Sequence, residues 1–99
     1  MKIIKNAISG TLESSDIQIM LVSNENKGIE IQLKSSVEKQ FGKQIRKVIN
    51  ETLEKLKIDN ATLVVTDKGA LDCTIKARVE CAVYRACGIK ESYEWEVID

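Results

Sequence analysis

The stretch "IEIQLKSSVEKQFGKQIRKVINETLEKLK", residues 29–57, changes its hydrophobic period part-way through, and that change decides the fold class. Up to Lys34 the apolar residues Ile29, Ile31 and Leu33 alternate with Glu30, Gln32 and Lys34. A period of two belongs to a strand with one wet face. Beyond Ser36 the apolar residues are Val37, Phe41, Ile45, Val48, Ile49, Leu53 and Leu56, recurring at intervals of three and four. That spacing winds them onto one stripe of an amphipathic helix, expected to end near Lys57. Ser35 and Glu38 have capping-box spacing, which predicts the helix start.

Working outward, "DIQIMLVS" (16–23) sets Ile17, Ile19 and Leu21 against Gln18, Met20 and Val22, a second strand. "NENKG" (24–28) has the composition of a turn, so strands 16–23 and 29–34 are expected to form an antiparallel hairpin. "AISGTL" (7–12) is a short extended run broken by Gly10. Downstream, "NATLVVTDKG" predicts a strand at 61–66 and a turn at Asp67–Gly69. "ALDCTIKARVECAVYRACG" predicts a second helix, with Leu71, Ile75, Val79, Val83 and Ala86 staggered on one side and Gly88 as its C-terminal cap. Its first part also alternates, so a strand remains open there. The acidic end, "ESYEWEVID", places Tyr93, Trp95 and Val97 on alternate positions, as core cover or as interface anchors. The expected fold class is α+β, a small, largely antiparallel sheet covered on one face by two helices, with residues 1–99 as a single domain.

The bulk numbers exclude more than they suggest. Fifteen basic residues balance fifteen acidic ones, so there is no overall electrostatic pull toward nucleic acid or anionic lipid, and neither partner is expected. The apolar run of "MKIIKNAISG" is too short for a signal-peptide core, and no stretch is long enough to span a bilayer. A cytoplasmic location follows as the expectation. Cys73, Cys81 and Cys87 form no CxxC, which argues against zinc, and are read as small core residues in a reducing compartment. Histidine is absent altogether, which removes Ser-His-Asp and Cys-His nucleophiles and imidazole bases together. No SxxK-type arrangement appears around residues 13–16 either. The chain is expected to be no enzyme by itself.

The charged residues of the long helix, among them Lys39, Lys43, Lys47 and Glu51, read as a solvated face. Asp67, Lys68 and Asp72 read as turn and helix-start residues, or as part of a docking surface. What remains is "SGTLESSD" (9–16), where Ser14 and Ser15 stand between Glu13 and Asp16. Periodicity alone makes it a turn. An exposed loop serine can also anchor a covalent group built by another enzyme, and Glu13 and Asp16 would then keep the loop hydrated and unpaired.

"GTLESSD" (10–16), "SSVEKQFG" (35–42), "DKGALDC" (67–73) and "ARVE" (77–80) occur in an order and spacing that resemble the acyl carrier (gamma) subunit of citrate lyase. The resemblance covers essentially the whole chain. It implies that Ser14 carries a covalent 2'-(5''-phosphoribosyl)-3'-dephospho-CoA, a phosphodiester-linked arm, with Ser15 as the rival hydroxyl. The position after the modified serine is often another small residue, such as glycine, in that family, and Ser15 departs mildly. The resemblance further implies acetyl and citryl thioesters held on the arm during cleavage of citrate to acetate and oxaloacetate. Its implied partners are an alpha subunit (acyl transferase), a beta subunit (citryl lyase) and a holo-carrier synthase. A further expectation, from the charges beside the serines, is that Glu13 and Asp16 are read by the synthase or by the alpha and beta subunits. The acyl carrier subunit of malonate decarboxylase is the nearest alternative, and an unmodified interaction module is the other.

Overall fold

Two segments of this chain bury every second residue almost completely, and the sheet is built around them. In the computed structural model, which describes residues 3–24 and 28–88, the elements run β1 (Ala7–Ser9), β2 (Ile17–Val22), β3 (Gly28–Ser35), α1 (Glu38–Lys55), β4 (Asn60–Asp67) and α2 (Asp72–Ala86). The strand order is β1-β2-β4-β3. β1 and β2 are antiparallel, as are β2 and β4, while β3 and β4 are parallel. The sheet is therefore largely antiparallel with one parallel edge. Tyr93, Trp95 and Val97 lie outside the described residues.

The expected hairpin of 16–23 with 29–34 does not form, because β4 lies between those two strands. The physical reason is burial. Ala61, Leu63 and Val65 of β4 are at most 1% exposed, whereas Ile29, Ile31 and Leu33 of β3 are only half-buried. The central place goes to the strand that gains most from leaving water. β3 keeps Glu30, Gln32 and Lys34 on its open face, and the two charges also protect an edge strand from pairing with another chain. Connecting β3 to a parallel neighbour requires a crossover, and α1 supplies it.

Both helices lie on the face that holds Ile17, Ile19, Leu21, Leu63 and Val65. α1 contributes Ile45, Ile49, Leu53 and Leu56 to that core, and α2 contributes Ile75, Val79, Ala82, Val83 and Ala86. The four-residue stagger of α2 settles the open choice at "LDCTIKARV": the segment is helical because Ile75, Val79 and Val83 then share one buried stripe. Of the cysteines expected in the core, only Cys87 packs against it, and only partly buried. Cys73 is exposed and Cys81 and Cys87 are half-buried, since they fall beside that stripe.

The helix ends follow local chemistry. α1 stops at Lys55, where the Lys57 N–H donates to the Glu54 carbonyl at 3.0 Å and the Ile58 N–H to the Leu53 carbonyl at 2.9 Å. This is a Schellman motif with Lys57 at φ +59° in the left-handed position. Gly88 takes the equivalent position after α2 at φ +78°, as its sequence position predicts. The capping box is not formed. Val37 is the N-cap of α1, and Ser35 lies two residues too early. Its Oγ instead accepts from the Val37 N–H at 3.0 Å and donates to the Asp67 carboxylate at 2.9 Å.

The central strand should be the most sensitive part of the core. Leu63→Ala is expected to lower stability by about 2–5 kcal/mol, measured as a shift of the urea midpoint at unchanged slope. An effect under about 1 kcal/mol would mean that β4 is not the packed centre of the sheet.

Candidate functional site

The loop joining β1 to β2 is held at its neck by a backbone approach that only glycine permits. Gly10 has φ +86°, and a Cβ there would lie 1.8 Å from the Ile17 carbonyl oxygen. Beyond that neck the chain makes a tight turn over Glu13–Asp16, in which the Asp16 N–H donates to the Glu13 carbonyl at 3.1 Å. Ser14 and Ser15 are the two central residues. Ser15 adopts φ +64°, the left-handed conformation that a type II turn demands at its third position. This gives a physical reason for glycine to be favoured there.

The turn is fastened to the end of β4. The Ser15 N–H donates to the Lys68 carbonyl at 2.8 Å, and the Lys68 N–H donates to the Asp16 carbonyl at 2.9 Å. The pairing of β2 with β4 thus continues one step past both strands. The backbone of Ser15 is spent on that contact. The Ser14 side chain is exposed and makes no hydrogen bond among the described residues.

Asp16 does not solvate the loop; it locks it. Its carboxylate accepts from the Thr11 hydroxyl at 2.6 Å, the Thr11 N–H at 3.2 Å and the Ile17 N–H at 2.7 Å. It also receives a two-pronged contact from Arg78 of α2, with Nε at 3.1 Å and Nη2 at 2.9 Å. Fork geometry of this kind is the strong form of an arginine–carboxylate pair. The Arg78 and Thr11 hydrogen bonds hold the Asp16 carboxyl well below the usual carboxylate range, and the same contact raises Arg78. Thr11 Oγ1 in turn accepts from the Glu13 N–H at 3.2 Å. The expectation that Asp16 helps keep the loop hydrated and unpaired is therefore corrected: the loop pairs with Lys68, and a charge engaged by five donor contacts anchors rather than hydrates. Glu13 keeps its exposed side chain.

The other quoted motifs converge on the same end of the sheet. Asp67, 1% exposed, accepts from Ser35 Oγ, from the Gly69 N–H at 3.1 Å and from the Ala70 N–H at 3.0 Å, which shapes the turn into α2. Asp72 stands in the first turn of α2, where a carboxylate suits the helix dipole, and accepts from Gln44 of α1 at 2.8 Å. Sequence reasoning missed Arg78 as the partner of Asp16, because 62 residues separate them. The available signal was an unexplained pair of opposite charges in "ESSD" and "ARVE". Among the described residues no group of His, Cys, Asp or Glu could hold a metal ion.

Comparison with known proteins adds a name to this arrangement. The family model described as "Malonate decarboxylase delta subunit (MdcD)", of the acyl carrier type, matches residues 4–86. Proteins named citrate lyase acyl carrier protein match along the whole chain and 96% of their own length: one from Lacticaseibacillus casei at 60% identity and one from Streptococcus mutans at 54%. The chain belongs to the citrate lyase acyl carrier family. A further member from Latilactobacillus sakei is 54% identical over the same span. Among solved structures, a homoserine kinase from Cytophaga hutchinsonii is similar with a TM-score of 0.59 at 15% identity, over 90% of this chain and 36% of that one. That likeness shows the fold alone, and the chain spans little more than a third of the kinase.

Two outcomes follow from the loop geometry. Asp16→Asn should cost about 1–2 kcal/mol at neutral pH, a modest figure because Arg78 is partly exposed and solvent screens the pair. A depressed carboxylate contributes stability above its unfolded pKa and loses it as pH falls through the folded one. Part of the acid sensitivity below about pH 5 should therefore disappear in this variant, measured by urea unfolding at stepped pH. Ser15→Gly should stabilise the chain by roughly 0.5–1 kcal/mol, because it removes a left-handed non-glycine residue. A loss of stability there would contradict the turn geometry.

Proposed function

We propose that the chain is the acyl carrier subunit of citrate lyase and that Ser14 is the residue to which its prosthetic arm is attached. The observation that carries this reading is the contrast within the serine pair. Ser14 presents an exposed hydroxyl at the apex of a turn, while Ser15, Asp16, Thr11 and Gly10 are all committed to holding that turn. The site suits a large covalent group, since nothing among the described residues covers the hydroxyl and the root beneath it is rigid.

Attachment forms a bond from Ser14 Oγ to phosphorus of an activated phosphoribosyl donor. That phosphorus's bond to its phosphate or pyrophosphate leaving group breaks, the leaving group departs with the electron pair, and the hydroxyl proton passes to a base. No described side chain hydrogen-bonds the Ser14 hydroxyl, so we assign that base to the holo-carrier synthase. The arm, a 2'-(5''-phosphoribosyl)-3'-dephospho-CoA, supplies a thiol on which acyl groups are held as thioesters. This chain's own residues contribute position. β2 and β4 fix where the arm begins, and the Asp16–Arg78 fork stops the loop from swinging. A carrier fixed at its root delivers its thiol at high local concentration to the acyl-transferring alpha subunit and the citryl-cleaving beta subunit. It acts without catalytic groups of its own, in the cytoplasm. No described helix is long and apolar enough to cross a membrane, which fits that setting.

The description of the matching family model favours a second reading, a carrier for malonate decarboxylase. The full-length relatives at 50–60% identity are named for citrate lyase and support the first.

Peptide mapping and intact mass of protein from citrate-grown cells, or of chain loaded by a holo-carrier synthase, provide the test. The expected result is one dephospho-CoA-type group on Ser14, lost completely in Ser14→Ala and retained in Ser15→Gly. The group on Ser15 would keep the function and move the site. An unmodified pair with an active synthase present would reduce the chain to an interaction module. Restored activity in carrier-depleted citrate lyase, but not in malonate decarboxylase, separates the two enzymes.

A further inference from the structure

On the sheet face turned away from the helices, a groove of about 550 Å³ opens beside the serine loop. Its floor is a row set by strand register: Gln18 of β2 pairs with Thr66 of β4, which pairs with Lys34 of β3. Leu12 lines one side, and Ser35, Ser36, Asp67 and Lys68 complete the lining. Ser14 is not part of the lining, but its neighbours tie its turn to the groove's edge. Leu12 lies two residues before Ser14, and Lys68 is joined through its backbone to both Ser15 and Asp16.

We infer that this groove binds the phosphate-bearing root of the arm, with Lys34 and Lys68 contacting its phosphates and Leu12 packing on its base. The inference rests on the carrier reading above. Its volume lies within the few hundred to about a thousand Å³ that small-molecule sites occupy. Both lysines are exposed and neither forms an ion pair among the described residues. Ammonium groups free to turn make good point contacts to phosphate. The opposing carboxylate, Asp67, already accepts from three donors, which weakens the repulsion it would exert. The Gln18 amide and the Ser36 and Thr66 hydroxyls offer hydrogen bonds to ribose oxygens or base edges. Leu12 is 55% exposed although it belongs to an ordered loop, an apolar surface that a planar base would cover. Neither described helix lies over this face, so the groove is within reach of a group attached at Ser14. A nucleotide-like root held here leaves only the distal, thiol-bearing part of the arm free to reach partner sites.

The test compares the apo chain with the chain loaded by its synthase, after intact mass has established loading. Amide proton–nitrogen spectra should then differ at Gln18, Lys34, Thr66 and Lys68 as well as in the loop. In the loaded K34E/K68E variant those remote changes should vanish, leaving changes at residues 13–16. A nucleotide pyrophosphatase should also cleave the arm's diphosphate roughly fivefold faster in that variant than in the original chain, the size expected for two exposed charge contacts. Should charge reversal prevent loading, K34Q/K68Q serves in its place. Loaded protein whose changes stay within residues 13–16, with cleavage equally fast in original and variant, overturns the groove and leaves the carrier reading intact. Absence of any mass gain overturns both.

Discussion

Everything in this fold leans on β4. It is hydrogen-bonded on both sides, antiparallel to β2 and parallel to β3, and its inward residues Ala61, Leu63 and Val65 are sealed between the sheet and the two helices. A strand in that place has no open edge, so Ala61, Leu63 and Val65, which it turns into the core, are apolar and its partners must be in register. The end of the same strand also builds the site. Asp67 shapes the turn into α2 and tethers Ser35, while the backbone of Lys68 clasps the serine loop. One element therefore connects the stability of the core to the placement of the functional loop.

The loop itself illustrates how a short surface segment acquires a fixed shape. Loops are ordinarily the mobile parts of a fold. Here four independent constraints act on seven residues: the close approach at Gly10, the turn at Ser14–Ser15, the backbone clasp to Lys68 and the carboxylate hub of Asp16. The left-handed Ser15 is a conformation that costs free energy, offset by the hydrogen bond of its N–H to the Lys68 carbonyl and by those that Asp16 makes to Glu13 and Lys68. The result leaves a single exposed hydroxyl at the apex with its neighbours committed elsewhere. A tethered arm profits from such a root, because motion at the base would lower the effective concentration of its far end.

This architecture also accounts for a subunit with no histidine and no metal-binding cluster among its described residues. A carrier requires an attachment point, a stable scaffold and surfaces that partners can approach. The protruding serine turn and the open sheet face supply the first and the last without disturbing the core, which lies on the other side of the sheet.

The sequence by itself determined the elements. Periods of two and of three-to-four residues placed β2, β3, β4 and both helices, since local hydrophobic spacing has to match the geometry that buries it. Gly88 likewise announced its helix end, whereas "GTLESSD" pointed to Ser14 only through a family resemblance, and its role is a proposal. Only the tertiary structure decided which strands are neighbours, because "NENKG" favours a local hairpin while the burial of β4 is a property of the whole sheet. Only the tertiary structure turned Asp16 from a solvating charge into the lock of the loop, and moved Ser35 from a helix cap to a tether of Asp67. Those contacts join residues 62 and 32 positions apart, and a linear pattern carries no information about which distant charges or hydroxyls the folded chain brings within hydrogen-bonding reach.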